Sequence, residues 1–130
     1  MKTKFPLLAI LIIALFSNCS SNEDSTSNSQ IQINPPSWIQ GTWRQANGGV
    51  GFKFTNNDFI TILPGSETSQ RQLLMTSSNL GASASDESTA TTYDIRLNFP
   101  AGQSAIYSFE LSSDNTLRWD QAASIPLIRQ

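Results

Sequence analysis

From Trp38 onward, apolar side chains alternate with polar ones, and this period of two restricts the fold more than any other feature of the chain. Val50, Phe52 and Phe54 alternate with Gly51, Lys53 and Thr55. Tyr93, Ile95, Leu97 and Phe99 alternate with Asp94, Arg96 and Asn98. Tyr107, Phe109 and Leu111 alternate with Ser108, Glu110 and Ser112, and Leu117 and Trp119 with Arg118 and Asp120. Successive side chains of a strand point to opposite faces, so each run reads as a half-buried strand. No window carries an apolar stripe of period 3.6. The pattern predicts an all-β domain.

Turn residues separate the runs: Asn47-Gly48-Gly49, Asn56-Asn57-Asp58, Pro64-Gly65-Ser66, Pro100-Ala101-Gly102 and Ser113-Asp114-Asn115. Cutting there predicts about eight strands, at 40–46, 50–55, 59–63, 69–76, 89–99, 104–112, 116–121 and 125–129. Connections this short force antiparallel neighbours, because parallel pairing needs a crossover of a dozen residues or more. Only 77–88 is a long loop. An eight-strand meander leaves two open edges unless it closes, so the expected architecture is a small antiparallel eight-stranded up-and-down barrel.

The chain has an address at its start. Met1 to Lys4 carry two lysines, Phe5 to Phe16 are almost wholly apolar, and Ser17-Asn18-Cys19 follow. A cationic start, a dozen apolar residues and a small-residue exit form a secretory signal layout, too short for the roughly 20 residues of a membrane span. A lone cysteine at that exit resembles the lipobox of bacterial lipoproteins, with Phe16 and Asn18 where the usual pattern has Leu and Gly or Ala. The resemblance implies cleavage after residue 18 and acylation of Cys19. Residues 1–18 are then a signal peptide and 19–37 a lipidated Cys with a flexible Ser/Asn-rich tether, ended by Pro35-Pro36. Residues 38–130 form the folded domain. Glu23-Asp24 resembles the acidic export tags of surface lipoproteins, and a merely solvated linker explains the pair equally well. The expected location is therefore the cell envelope, anchored in the outer membrane, with the periplasmic and outward orientations both open.

Trp38-Ile39-Gln40-Gly41-Thr42-Trp43 opens the first strand with Gly-x-Trp, which resembles the first strand of lipocalin-like barrels. The later runs Gly51–Thr55, Ser108–Glu110 and Leu117–Trp119 are similar to those of small lipocalin-like lipoproteins. In that family the Trp closes one end of the barrel and a basic residue of the last strand covers its ring. The resemblance assigns these roles to Trp43 and Arg129, with Arg118 as the second candidate. At 93 residues the domain is shorter than a full lipocalin, and Phe52, Phe54, Phe59, Tyr93 and Phe109 are expected to fill a narrow interior.

The composition narrows the chemistry. The sequence has no His and one Cys. It therefore offers no Ser-His-Asp triad, no imidazole acid or base, and no His/Cys metal set. Gly48-Gly49-Val50-Gly51 lacks the Lys and the helix of a phosphate loop. Asp86-Glu87 is a carboxylate pair in a Ser-rich loop, and Glu110 with Asp114 or Asp120 is a pair that strand pairing can assemble. Solvated faces explain both better than glycoside hydrolysis. Asn56-Asn57-Asp58 carries one carboxylate and reads as a turn rather than a calcium loop. No enzyme and no cofactor are expected.

Without Lys2 and Lys4, six basic and ten acidic side chains remain, a formal charge of −4. That balance disfavours nucleic acid as a partner. The functional expectation is a lipid-anchored binding module for an apolar or amphipathic small molecule or a carbohydrate, with its mouth opposite Trp43 near 77–88. The alternative is a protein-interaction module, such as an inhibitor of an exogenous hydrolase.

Overall fold

The computed structural model describes residues 30–130. The signal segment, Cys19 and Glu23-Asp24 lie outside the described residues. The strands are β1 (Gly41–Gln45), β2 (Gly51–Phe54), β3 (Phe59–Leu63), β4 (Ser66–Ser69), β5 (Ser83–Ser88), β6 (Thr92–Asn98), β7 (Ser104–Ser113), β8 (Thr116–Trp119) and β9 (Leu127–Arg129). One helix, α1 (Gln70–Met75), and a 3₁₀ turn at Ser78–Leu80 lie between β4 and β5. No helix among the described residues is long and apolar enough to cross a membrane.

All nine strands join one sheet in the order β4-β3-β2-β1-β9-β8-β7-β6-β5, antiparallel at every step. The sheet curls into a half-barrel. Its first and last strands meet in the middle, where Trp43 stands opposite Arg129, and its two ends are β4 and β5.

The all-β expectation holds, and the count and closure differ from it. The stretch 69–76, expected as a strand, is mostly α1. Gln, Arg, Leu and Met are good helix formers, and Ser69 caps the helix by accepting from the Gln72 amide at 3.0 Å. The run has a single buried apolar position, Leu74, which is too little to show a period. Two short strands were hidden: β4, which returns from the Pro64-Gly65 turn, and β5, which occupies the second half of the expected 77–88 loop. Both are Ser-rich and show almost no alternation, so they are visible only through their pairing with β3 and β6.

The packed region also starts earlier than Trp38. Ile31 and Ile33, expected in the tether, are 3% and 1% exposed. Gln32 donates its amide to the Ala84 carbonyl at 3.0 Å, and the Ala84 amide donates to the Gln30 carbonyl at 2.9 Å. Residues 30–32 thus lie parallel along the free edge of β5. Two isoleucines at i and i+2 are the least apolar surface that fits one strand face, and they sit in otherwise polar sequence.

The inward face is aromatic. Trp43, Phe52, Phe54, Phe59, Tyr93 and Phe109 are buried together with Ile95, Leu97, Leu117 and Leu127. Rings from β2 and β3 reach rings from the far limb of the curl: Phe52–Phe109 at 5.1 Å, Phe54–Tyr93 at 5.9 Å and Phe59–Tyr107 at 4.9 Å between centroids. Most of these meet edge to face, the arrangement the ring quadrupole favours.

Candidate functional site

At the seam between β1 and β9, the Arg129 guanidinium carbon lies 4.1 Å from the centre of the Trp43 ring. It donates to the carbonyls of Gln40 at 2.9 Å, Trp38 at 2.7 Å and Asp114 at 3.4 Å. The Trp43 indole N–H donates to the Ile39 carbonyl at 2.7 Å. One cation therefore covers an indole face and ties the last strand to the segment that leads into the first. Gly41 makes the approach possible. Its φ is +119°, and a Cβ there would stand 3.2 Å from Arg129 Nη1, so glycine meets both a backbone and a space requirement. The two sequence candidates of this pair are brought together. Arg118 is not: it faces outward, paired with Glu110 across the β7–β8 ladder and with Asp120 at 3.5 Å.

The opening between β4 and β5 is covered by different material. The chain leaves β4 at Ser69, runs through α1 and the 3₁₀ turn, and enters β5 at Ser83, so this crossing connection spans the gap. Asp58, expected only as a turn residue, organises it. Its carboxylate accepts from Ser69 Oγ at 2.5 Å, the Arg71 amide at 3.0 Å and the Phe59 amide at 2.7 Å. Arg71 in turn donates to the carbonyls of Asn57 at 3.2 Å and Ile31 at 3.5 Å. On the other bank, Asp86 accepts from the Tyr93 hydroxyl at 3.0 Å and from the Asn34 amide. Burial first, then the Asp86 charge and that hydrogen bond, hold the Tyr93 hydroxyl well above its usual pKa.

Asp86 and Glu87 do not form a carboxylate pair. They are successive strand residues pointing to opposite faces: Asp86 turns to Tyr93, and Glu87 lines a shallow outer groove of about 210 Å³ with Asp94 and Arg96. Glu110 and Asp120 converge on Arg118 rather than on a cleft, and Asp114 contributes its carbonyl to Arg129. A larger groove of about 430 Å³ runs beside α1, between Asp58, Arg71, Gln72 and Met75. It too is on the outside. Among the described residues, Trp119 Nε1 is the one buried side-chain nitrogen without a partner, in a ring that stacks on Tyr107 at 6.2 Å.

The sequence reading missed the Asp58–Ser69–Arg71 cluster because its members are 11 and 13 positions apart. The capping signal of Ser69 before Gln70-Arg71-Gln72 was the available clue. No family model, curated protein or solved structure matches this chain.

Proposed function

We propose that the protein is a lipid-anchored module of the cell envelope, held by an acylated Cys19, that acts through contacts on its outside. The observation that carries this reading is the interior, where Phe52 and Phe59 meet Tyr107 and Phe109 across the curl at 4.9–6.2 Å. Rings from opposite limbs at these distances fill space inside the curl, which favours contacts on the outside over a small-molecule carrier, the first expectation from sequence. A filled, curled sheet still offers the roughly 800 Å² per partner that a protein complex needs. An inhibitor of a secreted hydrolase is one such use. The reading is non-enzymatic, and what supports that is the lack of any His in the sequence.

Kinship with lipocalin-like lipoproteins belongs to the same proposal. Gly41, Trp43 and Arg129 support it, since all three serve one cation–ring contact at the closing seam. Native mass spectrometry of the gently extracted lipoprotein tests the whole reading. The expected mass is that of residues 19–130 with its acyl chains and nothing more. A stoichiometric small molecule released on unfolding would overturn it in favour of a carrier. Titration against lysozyme and other secreted hydrolases is expected to return one that is retained and inhibited.

A further inference from the structure

The connection that spans the opening carries an unusual surface. Leu73, Met75 and Leu80 are 42%, 47% and 67% exposed, whereas Leu74 between the first two is fully buried and anchors α1 to the core. At about 100° per residue, Leu73 and Met75 stand at the two rims of the outward arc of α1, with Gln72 and Thr76 between them. Leu80 follows one turn later. Between Glu67 and Asp86 the only charged side chain is Arg71, and its guanidinium is occupied by two carbonyls. The segment 68–85 itself carries no carboxylate; Asp58, held by Ser69 and Arg71, borders the groove beside Met75, and Glu67 the one beside Leu73.

The carbonyls at the end of α1 are satisfied without water. Gln72 O accepts from the Thr76 amide, and Leu73 O from the hydroxyls of Thr76 at 2.7 Å and Ser77 at 3.3 Å. Leu74 O accepts from the Ser77 amide and Met75 O from the Ser78 hydroxyl at 3.0 Å. The last carbonyls of a helix are normally orphans that need solvent, and leaving them unpaired in an apolar medium costs several kcal/mol. Here that penalty is already removed.

The described chain begins at the same place. Gln30 is bonded to Ala84, four residues past Leu80, and Ile31 to Arg71 of α1. Ten residues lie between Cys19 and Gln30, and the eleven Cα steps give a reach of at most about 40 Å.

We infer that the α1–Leu80 face rests on the lipid surface, with Leu73, Met75 and Leu80 entering the headgroup boundary. The inference rests on the acylated Cys19 proposed above. The anchor holds the domain at the bilayer, and the short reach raises the local concentration of lipid so that three apolar side chains suffice. The opposite side of the curl, around β1, β9 and β8, then faces outward.

The test uses the full lipoprotein in phosphatidylcholine vesicles, with a single thiol introduced as Leu73→Cys, Met75→Cys or Leu80→Cys and labelled with a polarity-sensitive fluorophore. Acylation leaves Cys19 without a free thiol, so each label is unique. Ser112→Cys at the far end of β7 is the control. The three face positions are expected to show blue-shifted emission and severalfold weaker quenching by an aqueous quencher than the control, with or without phosphatidylglycerol. Flotation of the vesicles separates the two claims. Protein that floats with all four labels equally quenched overturns the docking face and leaves the anchor standing. Protein that does not float overturns both. Protection that grows with protein concentration at fixed lipid points to a second copy of the chain and overturns the lipid assignment.

Discussion

The curled sheet is held together in two places by different means. At the seam, β1 and β9 pair directly, and Trp43 with Arg129 locks them through one cation–ring contact and three hydrogen bonds to carbonyls. At the opening, β4 and β5 never touch as a ladder, and a short helix, two isoleucines and the carboxylates of Asp58 and Asp86 fill the interval. A free strand edge can be protected by pairing or by cover, and this protein uses one device at each place. The seam is local in space but joins residues 86 positions apart, from Trp43 to Arg129. The opening is assembled from segments too polar to announce themselves.

The difference can be broken at either place. The largest effect is expected for Trp43→Ala, which removes a fully buried indole and the partner of Arg129; a loss of about 5 kcal/mol should leave the domain largely unfolded in a urea titration followed by circular dichroism. Next is Ile33→Ala on the opening side. A buried position predicts a loss of about 3 kcal/mol, whereas an idle tether predicts an unchanged urea midpoint. Arg129→Met keeps some cover over the indole but strands the carbonyls of Trp38 and Gln40, for about 2 kcal/mol. Arg118→Ala, on half-exposed ion pairs, should stay within about 1 kcal/mol and vanish with added salt. Equal losses for the two arginines would refute the special place of the seam.

Near neutral pH the last effect is nil. Tyr93 and Tyr107 both have hydroxyls raised in pKa by burial, Tyr93 also by Asp86. The unfolded chain then releases these protons first, so the stability they contribute is complete below about pH 10 and falls as pH rises beyond it. Tyr93→Phe should flatten the alkaline limb of stability against pH measured by urea midpoints. An unaltered limb would show that this hydroxyl is not held neutral at the opening.

Legibility followed the same division. The runs around Phe52, Tyr93, Phe109 and Leu117 were readable because one buried face leaves a period of two in the sequence. Gly41, Trp43 and Arg129 were readable as a motif, although the reason for the glycine, a positive φ under an approaching guanidinium, belongs to the folded chain. The helix at Gln70–Met75 does not read as one in the sequence, because six residues with one buried leucine carry no period. Strand β5 reads as a loop because Ser-Ala-Ser-Asp-Glu-Ser has β-structure only by virtue of its neighbours, β6 on one side and residues 30–32 on the other.

By itself the sequence determined the class of fold and its inward face, since burial of alternate side chains is a local rule that each run obeys alone. Tertiary structure decided the number of strands, where the sheet stops, and what covers its ends. Those outcomes depend on hydrogen bonds between segments tens of residues apart, Gln30 with Ala84 and Asp58 with Arg71 among them. Polar side chains leave no periodic trace of the partner they will find.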